Sequence, residues 1–184
     1  MQITEAVTTV QRAAVQRLFA SAIHGIAPNA VPAPEHDYLY APVIAQARDE
    51  DGHLLGAALS CRAQVAAGSA ILGSRGPYAN VLDKHSELDL LAVEPNARGR
   101  GIGGALVHHL ETRLASTGVR AWFGVVTADL QADQLEKFYR RHGFTITEPG
   151  QPLPNLLGKR WFPERGADEV AFYFYKRPAA QSFQ

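Results

Sequence analysis

Seven residues, Arg98-Gly99-Arg100-Gly101-Ile102-Gly103-Gly104, place four glycines and two arginines between a strand-like run, Glu87 to Val93, and a helix-like run that begins at Gly101. No other segment limits the fold as tightly. The start of a helix presents about four backbone N–H groups without internal partners, together with partial positive charge. Glycines at 99, 101, 103 and 104 remove the β-carbons that would hold a phosphate away from those donors, while Arg98 and Arg100 add charge and forked hydrogen-bond donors. A turn that only lets a helix pack closely needs no arginines. The run therefore points to an anion at a helix N-terminus.

The surrounding pattern says what kind of sheet delivers that turn. Glu87 to Val93, a helix over Gly101 to Thr117, a strand over Val119 to Val126 and a helix over Leu130 to His142 alternate as a parallel βαβ unit does. Ile102, Leu106, Leu110 and Leu114 recur at four-residue steps, and Gly118 stands where a left-handed cap ends a helix. Leu135, Phe138 and Tyr139 mark the apolar side of the second helix, with Asp129 as its expected N-cap and Gly143 as its stop. Upstream the pattern differs. Val7, Val10, Ala14, Val15, Leu18, Phe19, Ala22 and Ile23 predict one apolar stripe on a helix over residues 7 to 24, which is core and not a binding groove. Gly25 to Glu35, with Pro28, Pro32 and Pro34, should be an irregular loop. Val43 to Arg48 and Leu54 to Val65 are β-like, and Asp49-Glu50-Asp51-Gly52 suits the turn of an antiparallel hairpin. Gly68 to Ser86 stays undecided. A strand near Phe144 to Thr147 and an aromatic strand, Val170 to Tyr175, follow. The expectation is one α/β domain over residues 1–177, a mixed sheet that is antiparallel first and parallel in its middle, with helices on both faces and a loose tail at 178–184.

Composition removes some functions. Lys plus Arg and Asp plus Glu are both 18, so no whole-chain field favours nucleic acid or an anionic membrane. Neither is expected as a partner, and the anion site must be local. The single cysteine, Cys61, lies in an apolar strand and is expected to be packing without chemistry. No run approaches the roughly 20 apolar residues of a membrane helix, and Met1 to Val10 lacks the features of a secretory leader, so a cytoplasmic location is expected. His108 and His109 are adjacent on a helix and point apart, so no metal is expected. His142 stands near a helix end as a dipole partner. A homodimer is compatible with all of this.

Gly99, Gly101 and Gly104 also satisfy G-x-G-x-x-G, and Asp129 falls where a ribose-binding acid stands in a dinucleotide fold. Against that, Glu94-Pro95-Asn96-Ala97 separate the strand from the loop, and a hairpin-bearing segment of about 80 residues precedes the unit.

The sequence resembles the GCN5-related N-acetyltransferase superfamily. Its signature R/Q-x-x-G-x-G/A is matched by Arg98, Gly101 and Gly103, Leu91-Ala92-Val93-Glu94-Pro95 resembles its pantetheine-pairing strand, and Phe138 to Phe144 resembles its Tyr-x-x-x-Gly-Phe helix end. The resemblance is specific over Glu87 to Phe144 and implies a sheet whose two central parallel strands splay around acetyl-CoA. It implies cofactor contacts from Leu91, Ala92 and Val93, from Arg98, Gly99, Arg100, Gly101, Ile102, Gly103 and Gly104, and from Phe138. One position departs: many members carry Asn seven residues before the helix Tyr, where this chain has Ala132.

Direct transfer needs a neutral amine, and deprotonating an alkyl ammonium at pH 7 costs roughly 4 kcal/mol. Glu87 lies eleven residues before Arg98, the offset at which one branch of the family places its base, and Asp89 follows by period two on the same expected strand face. Either carboxylate, or water held by it, is the expected base. The resemblance gives the backbone N–H of Val93 the developing oxyanion, and Tyr139 the general-acid position at the departing thiolate. The implied activity is transfer of an acetyl group to a primary amine on a small molecule or peptide. A noncatalytic acyl-CoA-binding or sensing module is the alternative. The acceptor walls are expected at Gly25 to Tyr40 and Gln151 to Arg165, where Glu35 and Asp37 could draw a cation and Tyr38, Tyr40, Trp161 and Phe162 could pack on it.

Overall fold

The structure is a computed structural model, and it describes residues 1–63, 83–128, 131–154 and 169–179. Seven strands form one mixed sheet: β1 (Gln2–Glu5), β2 (Val43–Arg48), β3 (Leu54–Cys61), β4 (His85–Val93), β5 (Ala121–Thr127), β6 (Thr145–Ile146) and β7 (Val170–Lys176). Their order is β1-β2-β3-β4-β5-β7-β6. Among the described residues only β4 and β5 run parallel; the other pairs are antiparallel. The helices are α1 (Thr9–Ala22), a short α2 (Asp37–Tyr40), α3 (Ile102–Ser116) and α4 (Ala132–Arg141).

Alternation along β2 and β3 explains how both faces are covered. Ile44, Ala57 and Leu59 pack with Val15, Leu18 and Phe19 of α1, whereas Ala45, Ala47 and Ala58 face Ile102, Leu106 and Leu110 of α3. Alanines under α3 let the helix lie close. At Gly56 an added Cβ would stand 3.1 Å from the Ala92 carbonyl oxygen and 3.2 Å from Ile102 Cγ2, tighter than ordinary packing. The four-step stripe of α3 is buried as its spacing predicts, with Ile102, Leu106, Leu110 and Leu114 all in the core. Gly118 adopts φ 81° and Gly143 φ 79°, which only glycine takes readily, so both helices stop where the sequence indicates. The hairpin turn is also as expected: Gly52 has φ 83° and the Asp49 carboxylate accepts the His53 N–H at 2.8 Å.

Several boundaries differ, and so does the N-terminal end of the α1 stripe. The edge strand β1 was not signalled by the sequence, because four residues with one large apolar side chain, Ile3, give no countable alternation. Within α1 the buried positions are Arg12, Val15, Leu18 and Phe19, while Val7 and Val10 are 59% and 78% exposed. Thr8 caps the helix in a capping box with Gln11, which fixes its start after Val7. Arg12 can be buried because Asp37 grips it through two nitrogens at 2.6 and 2.8 Å, with the Ala6 and Pro32 carbonyls accepting beside it. That pair ties the proline-rich loop to α1. α4 starts at Ala132 with Gln131 as N-cap, so the cap expected at Asp129 is displaced. Asp129 and Leu130 themselves, residues 64–82, Trp161, Phe162 and most of the expected 178–184 tail lie outside the described residues. β3 ends at Cys61, four residues before its expected limit, and β4 begins two residues earlier, at His85.

Candidate active site

The site is built where the one parallel pair comes apart. β4 and β5 pair only at His85–Ala121, Ser86–Trp122 and Glu87–Phe123, although β4 continues to Val93 and β5 to Thr127. From Leu88 onward β4 is paired, among the described residues, with β3 alone. On that side the register shifts: Ser60 pairs with Leu88 and Leu59 with Leu90, leaving Asp89 as an extra residue in β4. This bulge interrupts the strict period-two relation expected between Glu87 and Asp89. At Gly124, next after the last paired residue of β5, an added Cβ would overlap the Phe174 ring and lie 2.8 Å from the Leu88 carbonyl oxygen. A glycine in mid-strand, Gly124 between Phe123 and Val125, is the sequence signal of such a close approach.

The direction of the main chain in the opening follows from one bond. Glu94 N–H donates to the Leu55 carbonyl at 2.9 Å, toward β3. Successive N–H groups of a strand point to opposite edges, so the Val93 N–H faces the opening. Gly103, at the start of α3, and Phe138, on α4, adjoin it: a Cβ at Gly103 would stand 3.5 Å from the Phe138 ring and 3.9 Å from Val93 Cγ2. Three residues expected from separate motifs are thus brought to one place.

The glycine run forms the turn from β4 into α3 through a short 3-10 turn, Pro95–Ala97. Gly99 and Gly101 have φ 76° and 79°, and Gly101 is the N-cap of α3 without any side-chain cap. Among the described residues the first N–H groups of the helix therefore have no side-chain acceptor, which is what an anion site requires. Arg98 turns back, its Nε donating to the Val93 carbonyl at 3.1 Å, which leaves its two Nη groups to reach outward. Gly104 has a different reason: the His142 ring fills the space where its Cβ would be, with Cε1 2.6 Å from that position. His142 in turn packs on Phe138, ring centroids 4.6 Å apart, and burial lowers its pKa, with Lys176 and Arg141 lowering it further.

Tyr139 and Glu87 lie on opposite faces of the sheet. Tyr139 belongs to the α3 and α4 side, stacked on Phe174 at 3.7 Å and 12°, in the cluster that holds Leu88 and Trp122. Burial raises its phenol well above the ordinary tyrosine range, so it stays protonated, and among the described residues its hydroxyl makes no hydrogen bond. Glu87, one position before Leu88, projects from the other face, half-buried, with Cys61 opposite it on β3 and Phe123 beside it on β5. Cys61 is buried, and burial pushes its thiol well up, with Asp89 and Glu87 adding to the effect. A protonated, enclosed thiol is unreactive.

Of the acceptor-side candidates, Asp37 is taken by Arg12, Tyr40 packs against the α1 cluster, and Tyr38 is 74% exposed on α2. The second expected wall, Gln151 to Arg165, is described only as far as Pro154. Among the described residues no helix is long and apolar enough to cross a membrane.

Comparison with known proteins bears on this geometry. Residues 18–144 match the family described as "Acetyltransferase (GNAT) family". No curated protein sequence matches the chain. Among solved structures, a GNAT-family acetyltransferase from Staphylococcus aureus Mu50 is 14% identical at TM-score 0.64, covering 97% of this chain and 99% of that one. Tetrahymena GCN5 is 11% identical at TM-score 0.64, covering 98% of each chain. An aminoglycoside 6'-N-acetyltransferase in complex with coenzyme A is 18% identical at TM-score 0.61, covering 98% and 99%. At such identities the likeness is one of fold. The dinucleotide alternative does not fit it, because a doubly wound sheet is mostly parallel, whereas among the described residues this sheet is antiparallel at every pair but β4–β5.

Proposed function

The chain belongs to the acetyltransferase (GNAT) family, and from that premise we propose that it is an N-acetyltransferase that takes its acetyl group from acetyl-CoA and delivers it to a primary amine. The observation that carries this reading is the end of β4–β5 pairing at Glu87–Phe123, which leaves the Val93 N–H directed into an opening bordered by an uncapped helix N-terminus.

The residues fit the donor. Unsatisfied N–H groups at the start of α3, the Arg98 Nη groups and Arg100 would hold the pyrophosphate, and Leu91 to Val93 would pair with the pantetheine arm. Phe138 and Gly103 would wall the arm at the turn. Acetyl-CoA supplies an activated thioester. Glu87, on the opposite face, takes up the proton that the incoming amine must lose, directly or through a water, a loss that costs roughly 4 kcal/mol at neutral pH. The Val93 N–H donates to the carbonyl oxygen as it gains charge. Tyr139 serves the leaving sulfur. Because burial holds its phenol above the thiol range near 8.5, donating a hydrogen bond to the thiolate is favourable while full proton transfer runs uphill. That places its contribution at the low end of general-acid assistance, about 10²-fold.

The test is release of free CoA thiol from acetyl-CoA with a panel of amines, amino acids, polyamines and aminoglycosides, alongside thermal stabilisation by acetyl-CoA. Turnover with at least one amine is expected, with Tyr139→Phe slower by about 10²-fold and CoA affinity nearly unchanged. Stabilisation without turnover on any amine would point to a noncatalytic acyl-CoA-binding module, and no stabilisation would refute the reading of the site.

A further inference from the structure

Three strands contribute side chains to a polar node inside the core, under the place where the sheet opens. Ser60 of β3 and Trp122 of β5 are fully buried, and Ser86 of β4 is nearly so. Ser60 Oγ accepts from Trp122 Nε1 at 3.0 Å, lies 2.7 Å from Ser86 Oγ and donates to the main-chain carbonyl of Glu87 at 2.8 Å. A hydroxyl offers one proton and two lone pairs. With its proton on the Glu87 carbonyl, Ser60 accepts from Trp122 and from Ser86, whose one proton is shared between Ser60 and the Cys61 carbonyl at 3.3 Å, and the capacity of Ser60 is full.

The node's place is specific. Leu88, Val126 and Phe174 fill the same cluster, so apolar residues alone would pack this region. A fully satisfied buried polar group instead fixes its partners in one arrangement. The carbonyl it fixes belongs to the last β4 residue paired with β5, and Ser60 itself stands at the register shift between β3 and β4. Both irregularities that open the sheet meet at one hydroxyl.

We propose that Ser60 is a positioning residue: by holding the Glu87 carbonyl it sets where β4 departs from β5, and so the opening that receives the pantetheine arm of coenzyme A. This rests on the CoA-binding reading above. It acts on the arm and not on the pyrophosphate, which the α3 N-terminus holds beyond the far end of β4.

Titrations of CoA and of 3'-phospho-ADP, which lacks the arm, separate these terms. The variants are Ser60→Ala and, as a control, Ser86→Ala, which removes a neighbouring buried hydroxyl from the same node but leaves the Ser60 to Glu87 bond in place. Ser60→Ala is expected to weaken CoA about 5- to 10-fold, the scale of one hydrogen bond, and to leave 3'-phospho-ADP within about twofold. Ser86→Ala should leave both ligands within about twofold. Ser60→Cys, which keeps the volume and a weak donor, covers a failure of the alanine variant to fold and should show the same selective loss at smaller size. Equal weakening of both ligands, no weakening of CoA, or the same pattern from Ser86→Ala overturns the proposal. If the wild-type chain fails to bind CoA in the same titration, the underlying reading of the site falls and the proposal with it.

Discussion

Gly101 and Gly103 occupy the two glycine positions of the signature, and the structure predicts opposite consequences for replacing them with alanine. Gly101 has φ 79° and ψ 3°, with nothing within 4 Å of a Cβ built on it, so only backbone conformation opposes a side chain there. An L-residue in that conformation costs about 1–2 kcal/mol, and the reduced freedom of the unfolded chain returns about 0.4–1 kcal/mol. Gly101→Ala should therefore lose about 1 kcal/mol. Gly103 is already helical, and its added Cβ would meet the Phe138 ring at 3.5 Å and Val93 Cγ2 at 3.9 Å, which is ordinary contact. Replacing a helical glycine with alanine gains up to about 0.8–1 kcal/mol. In a chain of 184 residues, 1 kcal/mol moves Tm by about 2–4 °C, so the two variants should melt on opposite sides of the wild type.

Binding should divide the same way. Gly101 aims the first N–H groups of α3, and misdirecting one charge-assisted hydrogen bond costs CoA about tenfold or more, whereas Gly103→Ala should stay within about threefold. The family signature tolerates alanine at the second glycine and not at the first, and this geometry gives the reason. Thermal and urea denaturation with CoA calorimetry check both arms. A destabilising Gly103→Ala, or a Gly101→Ala that matches wild type in melting and binding, would refute the argument.

Other perturbations test other parts of the fold. Gly124→Ala, which drives a Cβ into Phe174 and the Leu88 carbonyl, should cost at least about 1–3 kcal/mol in urea unfolding; a neutral result would show that the two strands approach less closely. For the Arg12–Asp37 pair, Asp37→Asn should cost more, about 2–3 kcal/mol, than Arg12→Met, about 1 kcal/mol or less. The first leaves a buried guanidinium without its carboxylate, whereas the second leaves a half-exposed carboxylate that water can solvate. The reverse order would exclude that account. Burial lowers the pKa of His109 and of His142 below the ordinary imidazole value of 6.5, so the unfolded chain takes up protons first as pH falls. Stability should be full above about pH 7 and decline below it, and urea midpoints near pH 8 and near pH 5.5 should converge in the double variant His109→Asn/His142→Asn. An unchanged difference would rule these histidines out as its source.

How much was legible follows from the range over which each signal acts. The stripe of α3, the caps at Gly118 and Gly143 and the Asp-Gly hairpin are local, each set by residues within a turn or two, and each was readable. The stripe of α1 holds at Val15, Leu18 and Phe19 and fails toward the N-terminus, where Val7 and Val10 are exposed and Arg12 is buried only because Asp37, twenty-five residues away, comes to meet it. No local pattern contains that partner. β1 escaped because a four-residue edge strand depends on β2 to exist at all.

The glycine run shows the same division inside one motif. The sequence offered a single reason for four glycines, access for a phosphate. The structure separates them into two backbone conformations that need glycine, Gly99 and Gly101, one position emptied for the His142 ring, Gly104, and one, Gly103, that faces Val93 and Phe138 across the opening. Only the last is glycine on account of the cleft alone, and it is the one for which alanine fits. In the proposed function the run would hold its anion through the direction Gly101 imposes on an uncapped helix, more than through the space the glycines leave. That direction matters only because β4 has already parted from β5. On the proposal above, the parting is set by residues with no motif of their own, Ser60 on β3 and the extra residue at Asp89 on β4.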